Sequence, residues 1–144
     1  MNLGFPSYFA VDLLGMGNVR VMPGFAPDAA DSFYGQIDVL LFPTRWKESF
    51  GLAIREALQR GIWVITSDAG GTVEDLVDGV NGRVIPFGDA GEALFAAILE
   101  AKERVEAWRA DPQLRPSTRV RHYGEQAKEL AGVIKAVTGA GQEP

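Results

Sequence analysis

Two glutamates, Glu48 and Glu56, bracket the run Ser-Phe-Gly-Leu-Ala-Ile-Arg in the middle of the chain. Phe50-Gly51 opens a pattern of helical spacing there, and Gly51 carries no Cβ to keep a ligand off the backbone. Unpaired N–H groups and the dipole at a helix start favour an anion. A carboxylate fixed one to two turns further in can take a pair of hydroxyls. That combination suits a nucleoside diphosphate, with phosphates on the N–H groups and the carboxylate on ribose. By itself the pattern is weak, because a glutamate in a helix's second turn is most often a solvated surface residue.

The elements that must position these residues can be read around them. Val39-Leu40-Leu41-Phe42 is a continuous apolar run, as expected of a strand buried on both faces, and Pro43 ends it. Thr44 to Ser49 form a loop. Leu52, Ala53, Ile54, Ala57 and Leu58 then recur at helical spacing, with Arg55, Glu56, Gln59 and Arg60 between them, and Gly61 stands where a helix-ending glycine belongs. Trp63 to Thr66 is a second short strand. Strand, helix and strand make a βαβ unit, which predicts a parallel sheet with a right-handed crossover. Ligands of such sheets bind beyond the carboxyl ends of the strands, where Glu48 and Gly51 lie.

The stretch Glu48-Ser-Phe-Gly-Leu-Ala-Ile-Arg-Glu56 resembles the E-x7-E motif of the group 1 retaining glycosyltransferases, which have two Rossmann-like domains. Ala57-Leu58 with Gly61, Val64-Ile-Thr-Ser-Asp-Ala-Gly-Gly71, Glu74, Asp78-Gly-Val-Asn-Gly82, Pro86-Phe-Gly-Asp89 and, upstream, Asn18-Val-Arg-Val-Met-Pro-Gly24 resemble further family segments in the same order. The resemblance covers about Asn18 to Ala97. It implies an α/β fold: a Rossmann-like parallel sheet flanked by helices, the C-terminal half of a GT-B fold, shortened on its N-terminal side. It also implies roles. Glu56 binds ribose hydroxyls, Glu48 lies at the donor sugar as the catalytic-site carboxylate, and the N–H groups of Phe50, Gly51 and Leu52 face the sugar or distal phosphate. Thr44 and Arg45 border the base or ribose, and Arg45 and Lys47 are lesser candidates for the diphosphate. In the family, an arginine and a lysine upstream stabilise the leaving diphosphate, and the acceptor site and a catalytic histidine belong to an N-terminal domain; neither is found in this sequence. His122, the one histidine, reads as a surface residue and cannot stand in.

The implied function is donor binding in a transferase of nucleotide-diphosphate sugars, with this chain alone inactive. The donor is a substrate, and no metal or other cofactor is expected. A non-catalytic nucleotide or nucleotide-sugar binding module is the alternative, and a ligand-free interaction domain is a third reading. The expected partners are the donor and an N-terminal acceptor-binding domain. Peripheral membrane association of the full enzyme and homo-oligomerisation are left open.

Composition narrows the classes. The chain has 144 residues, 47% hydrophobic and 23% charged, ordinary for a globular domain, and residues 1–144 are expected to form one. A net charge of −5 argues against nucleic acid as main partner. There is no cysteine, hence no disulfide framework or thiolate site. No apolar run approaches the roughly 20 residues of a membrane span, and the first residues lack a basic signal-peptide segment; a cytoplasmic setting is expected.

Elsewhere, residues 1–17 are barely readable, Val19–Met22 reads as a strand, and Pro27-Asp28 opens a helix to about Tyr34. Asp38 reads as structural. Gly70-Gly71 permits positive φ or close ligand approach, and Thr72 is expected to cap a short helix over Val73–Val77. Arg83–Ile85 reads as an edge strand. Asp89, with Glu92, caps a long helix whose buried stripe is Leu94, Ala97, Ile98, Ala101, Val105 and Trp108. Asp111-Pro112 breaks it. Tyr123, Ala127, Leu130, Ile134 and Val137 mark a last helix, after which residues 139–144 should fray.

Overall fold

In the computed structural model, residues 24–89, 91–120 and 123–139 are described. The expected strand Val19–Met22, the lead-in, His122 and the tail beyond Gly139 lie outside them. Two compact units are distinguished, meeting between Phe33 and Tyr34. In the first, Pro27–Ala29 forms a 3-10 turn, with the proline in its first turn as the sequence predicts, and leads into helix α1, Ala30–Tyr34. Phe25 stacks on Phe33 with ring centroids 4.2 Å apart.

The second unit is built on a parallel sheet. Among the described residues three strands, β1 (Val39–Phe42), β2 (Trp63–Ser67) and β3 (Gly82–Ile85), pair in that order. Val39 registers with Trp63, and Val64 with Gly82. All five β2 residues are buried, as a central parallel strand requires. Helix α2 (Leu52–Leu58) joins β1 to β2 and packs on both; helix α3 (Glu92–Ala110) packs on β2 and β3. The α3 side of the core holds Trp63, Ile65, Ile85, Ala97, Ala101 and Trp108, with the two indole rings 5.9 Å apart. Ile54, Ala57, Leu58, Ile62 and Val64 are also fully buried. Asp38 is structural as read, holding Arg109 and Arg115.

Four expectations change. β1 is only half-buried, and Leu41 is 48% exposed. Val39, Leu41, Ile98 and Val105 instead border a groove between β1 and α3, and this leaves Ile98 exposed too. Within α2, Leu52 is 61% exposed while Arg55 is 6% exposed, so the helix turns its charged residue inward and an apolar one outward. Residues 71–75 make successive turns instead of a helix, because Thr72 does not cap: its hydroxyl turns inward and donates to Ser67 O at 3.0 Å. The last helix, α4 (Tyr123–Thr138), forms as predicted, but Leu130, Ile134 and Val137 on its apolar face are exposed.

Asp89 does cap α3, its carboxylate accepting from the N–H groups of Gly91, Ala93 and Leu94. Burial works against the charged form of Asp89, yet these three bonds hold its carboxyl below the usual range. Its own N–H goes to Pro86 O, so Glu92 has no reciprocal bond to make there.

Candidate donor-binding loops at the strand ends

Two loops leave the carboxyl ends of β1 and β2 and lock together. Glu48 N donates to Ala69 O at 2.9 Å and Gly71 N donates to Glu48 O at 2.8 Å, so Glu48 and Gly70 continue the parallel pairing past the strands. The glycines permit this contact. Gly70 has φ +92°, and a Cβ on Gly71 would stand 2.1 Å from Ser49 O. Close approach was expected of this pair; the group approaching Gly71 is the facing loop's own carbonyl. Gly51 has φ +65°, and a Cβ there would meet Ile54 Cδ1 and Thr72 at 3.3–3.4 Å. Its lack of a side chain therefore serves backbone conformation and packing.

Sequence-predicted site residues fall into three places on this frame. Glu48, Phe50 and Gly51 lie on the locked loops. The N–H groups of Phe50, Gly51 and Leu52 meet no protein acceptor among the described residues. The helix they open is seven residues long, so its dipole adds little. Thr44 and Arg45 line a small hollow with Ser67, Ile85 and Asp89, where the three strands end. Its volume, ≈ 30 Å³, admits a water-sized group. Thr44 Oγ1 accepts from Trp46 N, fixing the loop's first turn. Lys47 sits over the Phe87 ring, 4.7 Å from its centroid.

Glu56, in the third place, has a partner from another element. The buried Tyr34 hydroxyl donates to its Oε2 at 2.8 Å, and Arg60 lies over the Tyr34 ring at 4.9 Å. Burial, then the Glu56 hydrogen bond and charge, push the Tyr34 phenol up to about 12. The other Glu56 oxygen accepts no hydrogen bond among the described residues.

Sequence reasoning missed Tyr34 and Arg55. Helical spacing placed Arg55 among the outward charges; the signal that could have found it is the adjacent acidic pair Glu74-Asp75 after Gly-Gly, which needs a cation. Among the described residues no cluster of three or more His, Cys, Asp or Glu could hold a metal, and no helix is long and apolar enough to cross a membrane.

The family model described as glycosyl transferases group 1 matches residues 9–113, most of the chain. The chain belongs to the group 1 glycosyltransferases. It is 34% identical, over 72% of its length, to a phosphatidyl-myo-inositol mannosyltransferase of Mycolicibacterium smegmatis, and 35% identical, over 51%, to a capsular polysaccharide biosynthesis glycosyltransferase of Staphylococcus aureus. It spans 27% of the first relative and 18% of the second. Among solved structures, Anabaena Alr3699/HepE, in complex with UDP and glucose, matches with a TM-score of 0.52 and 26% identity, over 75% of this chain and 27% of that one. The parallel α/β fold read from the sequence is thus the fold of a glycosyltransferase family member.

Proposed function

We propose that this chain binds the nucleotide-diphosphate sugar donor of a retaining glycosyltransferase, as the C-terminal half of a GT-B enzyme. The observation that carries the reading is the locked pair of loops, which holds the Glu48 backbone and the free N–H groups of Phe50 and Gly51 in one place, inside the segment matched by the family. The neighbour solved with UDP and glucose supports a nucleotide sugar as the ligand class. In this reading Glu56 takes the ribose hydroxyls through the oxygen that Tyr34 does not use. Two hydroxyls on one carboxylate form a charge-assisted, geometrically specific pair. Glu48 lies beside the donor sugar, and Thr44 and Arg45 border base or ribose. Stabilising charge on the leaving diphosphate then matters more than a strong base. Basic groups for it and the acceptor site belong to a larger protein, so the chain alone acts as a nucleotide or nucleotide-sugar binding module.

Calorimetric titration of uridine, guanosine and adenosine diphosphates into wild type and Glu56 variants tests this. Glu56→Gln keeps the shape but exchanges a charged hydrogen-bond partner for a neutral one, a loss of about 1–2 kcal/mol, or about ten-fold in affinity. Glu56→Ala should lose more. Equal affinity of wild type and Glu56→Ala for every nucleotide removes the ribose role.

A further inference from the structure

Arg55 is the most deeply buried charged residue among those described, and the donor-binding reading gives it no role. Its guanidinium reaches four groups on two segments. Nη1 donates to Gly71 O at 3.3 Å, and Nη2 donates to Glu74 Oε2 at 2.6 Å. Asp75 Oδ2 lies 2.8 Å from Nε, as an ion pair toward which the N–H does not point. The opposite face of the guanidinium covers the Phe50 ring at 3.9 Å from its centroid. One planar cation thus spans the start of α2 and the turn that carries Gly70-Gly71. A planar fork can bond a carbonyl and carboxylates in its plane while stacking an aromatic ring on its face; an ammonium cannot do both.

We propose that Arg55 is a positioning residue, which holds the Gly70-Gly71 turn against Phe50-Gly51 and so keeps the donor-binding rim formed before the ligand arrives. The link to ligand rests on the donor-binding reading; the link between the loops stands on the contacts alone. Gly71 is the common point. Its N–H bonds Glu48 O and its carbonyl bonds Arg55, so the guanidinium pulls on the same residue that pins the Glu48 backbone. Without this clamp, the turn over 71–75 keeps the Gly71 N–H on Glu48 O and the Asn81 amide on Asp75 O, beside short-range bonds such as Val73 N to Gly70 O, but loses its Arg55 side-chain tie to α2. A ligand would then have to order the rim as it binds, which weakens binding.

Arg55→Lys tests this in the whole chain. It keeps the charge and most of the volume and loses the planar fork. Because a buried substitution can unfold the chain, Glu74→Gln is the second variant: that side chain is 57% exposed, so the core should not feel its change. Amide hydrogen exchange should rise about ten-fold or more at Glu48 and Gly71 in Arg55→Lys, and less in Glu74→Gln, while buried β2 amides keep their wild-type protection. Titration with uridine diphosphate should show at least five-fold weaker binding by Arg55→Lys. Unchanged exchange at Glu48 and Gly71 in both variants overturns the proposal. So does a rise shared equally by the β2 amides, which would make Arg55 a general core residue, or uridine diphosphate binding by Arg55→Lys equal to wild type. If wild type binds no nucleoside diphosphate, the donor-binding reading fails, and the exchange pattern alone decides the positioning role.

Discussion

At the residue scale, the resemblance singled out Glu56 as a candidate, but the sequence said nothing of its surroundings, because its hydrogen-bond partner Tyr34 lies 22 positions away on another element. Periodicity reports which face a residue shares and is blind to a partner that only tertiary packing supplies. The Tyr34 bond changes what Glu56 does for stability. With the bond in place, a substitution at Glu56 should cost a modest amount of stability. Tyr34→Phe removes only the hydroxyl. A bond to a charged acceptor is worth about 1.5–3 kcal/mol, reduced here because Glu56 is partly solvated, so about 1 kcal/mol, or several degrees of melting temperature, should be lost. The same contact has a pH signature. The folded phenol titrates at about 12, above its unfolded value of about 10. Its contribution is therefore fully present below pH about 10 and is lost as pH rises through about 12. Ultraviolet titration should find a late-ionising tyrosine in wild type that is lost in Tyr34→Phe. An unchanged late titration in the variant would disprove the assignment.

At the element scale, strands and helices were legible wherever an apolar run or stripe met a clean stop. β1, α2 and β2 lie where Pro43, Gly51 and Gly61 punctuate them, and the parallel pairing followed from their order. The reading failed at residues 73–77, where propensity favoured a helix. There Arg55 draws Glu74 and Asp75 toward α2, and Thr72 is spent inside, so tertiary bonds override a local preference. Gly71 tests how much the loop lock contributes. Gly71→Ala puts a methyl group 2.1 Å from Ser49 O and 2.8 Å from Phe50 N, which the backbone must move to relieve. Such overpacking typically costs about 1–3 kcal/mol. Gly124→Ala is the control, since a Cβ there meets nothing within 4 Å and lies within α4. It should be neutral or stabilising by up to about 1 kcal/mol. Chemical denaturation should separate the two variants, and equal midpoints would mean that the loops do not depend on this contact.

At the scale of the whole molecule, the class of fold was legible and its surroundings were not. Composition and periodicity do not say what covers a surface, which is why β1 was expected to be buried on both faces and is half-buried, and why the exposure of the apolar stripe of α4 could not be read in advance. The chain spans only a part of the relatives it matches, and this bears on what activity to expect of it. Glycosyl transfer requires an acceptor held within about 3–3.5 Å of the reacting carbon, together with charge stabilisation on the departing diphosphate. Around the locked loops the described basic side chains are few. Arg45 borders the hollow, Lys47 is engaged over Phe87, and Arg55 is turned into the interior by its carboxylate partners. Most of the length of the mannosyltransferase relative lies beyond the part this chain matches. The purified 144-residue chain should therefore bind a nucleoside diphosphate without transferring sugar from any nucleotide sugar to any added acceptor. Incubation with radiolabelled uridine- and guanosine-diphosphate sugars and an acceptor panel, scored for labelled product, measures this directly. Glycosylated product made by the purified chain would show that these loops carry the whole reaction, and the division of labour proposed for them would be wrong.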